Sequence, residues 1–157
     1  MDLRDTPAEQ AFRLEVREWL GSTERPPRPP VDDEHGLRAH DAAWQRQLHE
    51  AGYAGIDWPV EFGGRGASPG EHLVFLEELA RAEAPPIGVN FVGQLHAGPT
   101  LMVEGTPEQR ARHLPAILRG DEVWCQGFSE PQAGSDLASL RTTAVRDGDH
   151  STGASAG

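Results

Sequence analysis

The sequence predicts a mainly α-helical fold that gives way to a short, incomplete β region near residue 120. Three observations carry this. A hydroxyl residue, a proline and, three residues after the hydroxyl, a Glu or Gln recur at Thr6-Pro7-Ala8-Glu9, Ser68-Pro69-Gly70-Glu71 and Thr106-Pro107-Glu108-Gln109. Each supplies a capping oxygen, a ring preset for the first helical turn and a side chain that reaches back to the free amide at the helix start. Apolar residues at helical spacing follow each one, and from Glu122 the spacing switches to alternation, the period of a strand.

In chain order, Phe12, Val16, Trp19 and Leu20 fall on one face of a first helix that Gly21 ends. A Pro-rich connector, STERPPRPP, separates it from a helix over Ala43 to Glu50 bearing Trp44 and Leu48 and closed by Gly52. Trp58-Pro59 and the glycines after it predict a structured loop. The helix opened by Ser68 carries Leu73, Phe75, Leu76, Leu79 and Ala80 over so wide an arc that it is expected at the centre of the domain, and Pro85-Pro86 close it. Glu77 and Glu78 are expected on a solvated face with Arg81. An apolar segment with Phe91, Leu95, Leu101 and Met102 leads to a helix bearing Leu114, Ile117 and Leu118 and ended by Gly120. Val123 to Phe128 alternates as a strand, with Cys125 expected as a small buried side chain in it. A second strand is expected over Arg141 to Arg146, with a turn at Asp147-Gly148-Asp149. The returning strand should begin near His150. The tail STGASAG has no apolar alternation and is expected as an aberrant or disordered end that leaves the sheet unfinished.

Composition excludes several function classes. Lys and Arg number 14 against 25 Asp and Glu, a net charge of -11, so the field repels a nucleic-acid backbone. No apolar run approaches the ~20 residues of a membrane-spanning helix. The N-terminus has neither the basic start nor the apolar segment of a secretory signal, and Cys125 is the lone cysteine, so a reducing, cytoplasmic location is expected. The seven histidines show no metal-ligand spacing, and no metal site is expected. Trp19, Trp44, Trp58 and Trp124 are expected in packing.

The chemistry is concentrated in CQGFSEPQAGSD, residues 125–136. An extended run into Ser129-Glu130-Pro131 and a Gly-Ser loop aims hydroxyls and free amides at an anion or a polar ring edge, although such clusters also serve as plain turns. The stretch WCQGFSEPQAGSDLASLRTTAVRDGD resembles the flavin-contacting segment of the acyl-CoA dehydrogenase family. AEQAFRLEVREWL, GYAGIDWPVEFGGRGAS and GPTLMVEGTPEQRARHLPAILRGDEVW resemble family segments in the family's order, so the likeness covers about residues 6–149. It implies an N-terminal helical domain over 1–120, the first strands of a middle β domain over 121–150, and a tail over 151–157. It also implies FAD as cofactor. Gln126 and Phe128 would lie along the flavin ring, with Ser129 at its reactive edge. Gly134 and Ser135 would lie by the pyrophosphate, and Ser135 also by the CoA side of the substrate. Gln132 stands where many relatives have glycine.

The activity implied is α,β-dehydrogenation of an acyl-CoA thioester, with electrons passed to an electron-transfer acceptor, in a homo- or hetero-oligomer. The family's glutamate base lies in a C-terminal domain outside this sequence, so no catalytic residue is assigned. The change of character after Asp149 is expected to mark a truncation or frameshift, with the chain inactive alone. The rival reading is a non-catalytic helical module that pairs with a second flavoprotein chain. Phe91 and Leu95 are compatible with either an acyl pocket or plain core.

Overall fold

The computed structural model describes residues 4–148 and 150–154, and of Asp147 and residues 150–154 the backbone alone. The chain divides into two compact units, Met1–Cys125 and Gln126–Gly157.

The first unit is built from α1 (Pro7–Ser22), α2 (Glu34–Glu50), α3 (Pro69–Arg81), α4 (Gly98–Glu104) and α5 (Pro107–Arg119), with short 3₁₀ turns at Val60–Phe62 and Gly88–Asn90 and a π-helical turn at Gly93–Ala97. All three predicted caps form. Thr6 N donates to Glu9 Oε2 at 2.6 Å while Glu9 N donates to Thr6 Oγ1 at 3.3 Å, and Ser68/Glu71 and Thr106/Gln109 repeat the exchange. Helix α2 begins at Glu34, not Ala43, because Asp33 caps it through Gly36 N at 2.8 Å. From His35 to Asp41 Leu37 is the one large apolar residue, so no apolar period marks that start.

The core joins Phe12, Val16 and Leu20 of α1 to Trp44 and Leu48 of α2, Val74 and Phe75 of α3, and Leu114, Ile117 and Leu118 of α5. Trp19 stacks on Trp44 with ring centroids 5.6 Å apart, and Trp58 is buried, so the tryptophans pack as expected. Gly98 opens α4 directly against Trp58: a Cβ there would stand 2.2 Å from Trp58 Cζ2.

Two expectations for α3 fail. Leu73 and Leu76 are 59% and 51% exposed, so the helix buries one side against α1 and does not lie at the centre. Glu78 is not solvated: it is 1% exposed and ion-paired with Arg13 and Arg17 of α1, two guanidinium groups one helical turn apart.

Beyond α5, Gly120 takes the left-handed conformation (φ 74°) that ends the helix. Glu122 then accepts from Trp124 Nε1 at 3.3 Å and meets His113 Nδ1 at 2.8 Å, with the His113 and Trp124 rings edge to face.

The chain after Glu122 departs from expectation in two places. Val123 to Phe128 forms no helix or strand and has no ladder partner among the described residues, since alternation makes a strand only where a partner supplies the ladder, and Cys125 is exposed. Strand β1 (Thr143–Asp147) forms as expected and pairs antiparallel with β2 (His150–Ala154), Thr143 opposite Ala154. The expected lack of a returning strand is thus corrected over 151–154, because a ladder is made by backbone groups and tolerates small polar residues, while the sheet stays incomplete as expected, with two strands among the described residues. Residues 155–157 of that expectation lie outside the described residues.

Candidate functional site

The helical unit contains an apolar cleft of about 550 Å³ between α2, α3 and the segment Ala84–Ile87. Trp44, Leu48, Ile56, Trp58, Phe75 and Leu79 give it its apolar character, and Leu95 reaches it whereas Phe91 is not among its lining residues. Capping boxes fix where α3 and α5 begin, and the π-helical turn brings Gln94 to the wall.

The cleft has one buried polar seam. Gln94 Nε2 donates to Gln45 Oε1 at 2.8 Å, Gln94 Oε1 accepts from Gly55 N at 3.3 Å, and Gln45 Nε2 donates to the carbonyl of Leu118 at 2.8 Å. The Gln94 carbonyl accepts from Trp58 Nε1 at 3.2 Å, so the seam also fixes the indole that forms the wall. Asp57 and His72 add a looser pair, 3.8 Å apart. Sequence reasoning missed all of these residues. Glutamines at unrelated positions carry no spacing signal, and only the fold brings Gln45 and Gln94 together.

The residues expected around a flavin lie in the second unit. Gln126, Phe128 and Ser129 lie in its first residues, which form neither helix nor strand, and Phe128 is 87% exposed. Gly134 and Ser135 lie beyond a turn closed by Ala133 N donating to the Glu130 carbonyl at 3.0 Å, and both are exposed. Among the described residues, the Ser129 hydroxyl and the Gly134 and Ser135 N–H groups have no hydrogen-bond partner. Free donors of this kind, set in a loop with a glycine, suit an anion such as a diphosphate, and an exposed ring beside a free hydroxyl suits a flat heteroaromatic ligand with a polar edge. The residues present therefore fit a flavin dinucleotide.

Glu130, not assigned from sequence, is the best-anchored side chain of the loop. Its carboxylate accepts from the backbone N–H groups of Arg141 and Thr142 and from the Thr142 hydroxyl. The Thr142 hydroxyl first, and these amides with it, hold its pKa below the ordinary carboxylate value.

Residues 6–121 match the family model for the acyl-CoA dehydrogenase N-terminal domain. The chain belongs to the acyl-CoA dehydrogenase family. Among relatives in this family, the acyl-CoA dehydrogenase IpdE1 of Mycolicibacterium smegmatis is 47% identical over 152 residues. The match covers 89% of this chain and 37% of IpdE1, so the chain spans well under half the length of that acyl-CoA dehydrogenase. Two solved structures are similar: the Tcur3481–Tcur3483 steroid ACAD (TM-score 0.71, 38% identity, 98% of this chain and 39% of that one) and the ChsE4–ChsE5 complex from Mycobacterium tuberculosis (TM-score 0.70, 37% identity, 98% and 38%). Among the described residues, no helix is long and apolar enough to cross a membrane.

Proposed function

We propose that this chain forms the helical wall and one flavin-facing edge of an FAD-dependent acyl-CoA dehydrogenase whose acyl group carries a bulky ring system. The observation that carries the reading is the set of donors at Ser129, Gly134 and Ser135 that have no partner among the described residues, in a chain of this family. When bound, the flavin supplies the hydride acceptor of an α,β-dehydrogenation. The chain's own contribution is placement. Gly134 and Ser135 offer N–H groups to the diphosphate, and Ser135 also serves the CoA side of the substrate. Phe128 and the backbone of Gln126 flank the ring, and the Ser129 hydroxyl stands ready at its polar edge.

The apolar cleft supports a ring-bearing acyl group. At about 550 Å³ it lies within the range of small-molecule pockets, and one solved neighbour is a steroid ACAD. The two-chain make-up of both neighbours supports action as part of a hetero-oligomer, with a companion chain completing the site and an electron-transfer acceptor receiving the electrons. The same observation favours the second reading, a helical partner of a flavin-bearing chain that does not itself hold flavin.

Two measurements test this. Flavin fluorescence should be quenched on adding the purified chain, and a steroid-bearing acyl-CoA should bind. Ala80, exposed on α3 and lining the cleft, is the place to block it: Ala80→Trp should abolish acyl-CoA binding and leave flavin quenching unchanged. Absence of flavin binding both alone and with a companion chain refutes the cofactor reading.

A further inference from the structure

A single carboxylate closes the loop that carries Gly134 and Ser135. Glu130 accepts from Arg141 N at 3.1 and 3.0 Å through its two oxygens, and from Thr142 through both backbone and hydroxyl, bridging 11 and 12 positions of sequence. Within the closed span, the Ser139 hydroxyl donates to the carbonyls of Asp136 at 2.9 Å and Gln132 at 3.3 Å, and Ala133 is completely buried. None of these bonds uses a further strand. The charge of Glu130 is met by its own donors, whereas the Gly134 and Ser135 amides have no partner among the described residues. A free loop of this length must be ordered at the moment a ligand binds, and closing it beforehand removes that cost from binding.

We propose that Glu130 is the positioning residue of this loop, clamping Arg141 and Thr142 so that the Gly134 and Ser135 N–H groups are set in advance for a diphosphate. The inference rests on the FAD reading above and extends it to a residue that touches no ligand. It separates two jobs within one short stretch: Ser129 acts on the ring, and Glu130 acts at a distance on the phosphates.

Riboflavin shares the ring of FAD and lacks the diphosphate, so the two ligands separate those jobs. Affinities of both should be measured by flavin fluorescence quenching for the full chain, Glu130→Gln and Glu130→Asp. Glu130→Gln should weaken FAD by about ten- to hundred-fold, the range for losing hydrogen bonds to a charged group, and leave riboflavin unchanged. Glu130→Asp, which keeps the charge one methylene short, should recover part of the loss. The helical circular-dichroism signal should be the same in all three.

An equal loss for both flavins, or no loss for FAD, overturns the proposal. Failure of the unmodified chain to take up either flavin, both alone and with a companion chain, overturns the cofactor reading instead, and amide spectra then decide on Glu130. Glu130→Gln should abolish hydrogen-exchange protection at Arg141 and Thr142 and move the Gly134 and Ser135 resonances to unstructured positions, and unchanged spectra refute the clamp.

Discussion

Arg17 grips Glu78 through two hydrogen bonds, Nε to Oε2 at 2.9 Å and Nη2 to Oε1 at 2.8 Å, and so ties α1 to α3. Arg13 adds a third at 2.9 Å. The hydrogen bonds from Arg17, foremost, and from Arg13 hold the pKa of Glu78 down from 4.5 to about 2 against the opposing effect of burial.

A folded-state pKa below the unfolded one means that Glu78 contributes stability fully above pH 4.5, and that this contribution is lost as pH falls towards 2. Glu78→Gln should cost about 2–3 kcal/mol at neutral pH, less than a fully enclosed pair because Arg17 is half exposed. Melting curves of the two forms across that window check the sign: the gap should close on acidification, and a gap that widens contradicts the assignment.

Gly98→Ala should destabilise the helical unit by about 2 kcal/mol, because the added methyl meets the buried Trp58 ring at 2.2 and 2.4 Å and the indole is held by its bond to Gln94. Gly127→Ala is the control, since nothing lies within 4 Å of its Cβ position. Urea titration of both variants should show a lower midpoint for the first alone.

Gln94→Leu strands the Gly55 N–H and the Gln45 Oε1 in a buried seam, which should cost about 1–3 kcal/mol. Adding Gln45→Leu should cost less in this background than in the unmodified chain, because one partner of the pair is already gone. A double-mutant cycle in urea reads the coupling, and strict additivity argues against a shared network.

Ser129→Ala should leave the melting temperature where it is, since the exposed hydroxyl has no partner among the described residues. Under the proposed function it should weaken FAD and riboflavin alike, by about fivefold, the worth of one ordinary hydrogen bond. Unchanged affinity for both flavins removes Ser129 from the ring edge.

The features legible in the sequence are those whose cause is local. Thr6, Ser68 and Thr106 announce their helices because a cap is made within four residues, and the stripe Phe12, Val16, Leu20 needs only the helical period to show its buried face. What could not be read depends on partners distant in sequence. Glu78 looks like any surface glutamate until Arg13 and Arg17, more than sixty positions earlier, are folded against it. Val123 to Phe128 alternates without a strand to pair with among the described residues, and His150 to Ala154 pairs without alternating, the same lesson from both sides. In the candidate site, the run to Ser129 and the Gly-Ser loop stand out by composition. Glu130 does not stand out, because its partners lie 11 and 12 residues on.

The bolt formed by His113, Glu122 and Trp124 has a consequence for how the chain can be cut. It secures the last residues of the helical unit, and from Gln126 to Ser129 no hydrogen bond is made to any of the described residues until Glu130 begins the next structure. A protease that cleaves after exposed aromatic residues would thus find Phe128 readily and release a piece that keeps every buried residue of the helical core. The helical unit thus carries its own fastening at the residues just before the cut.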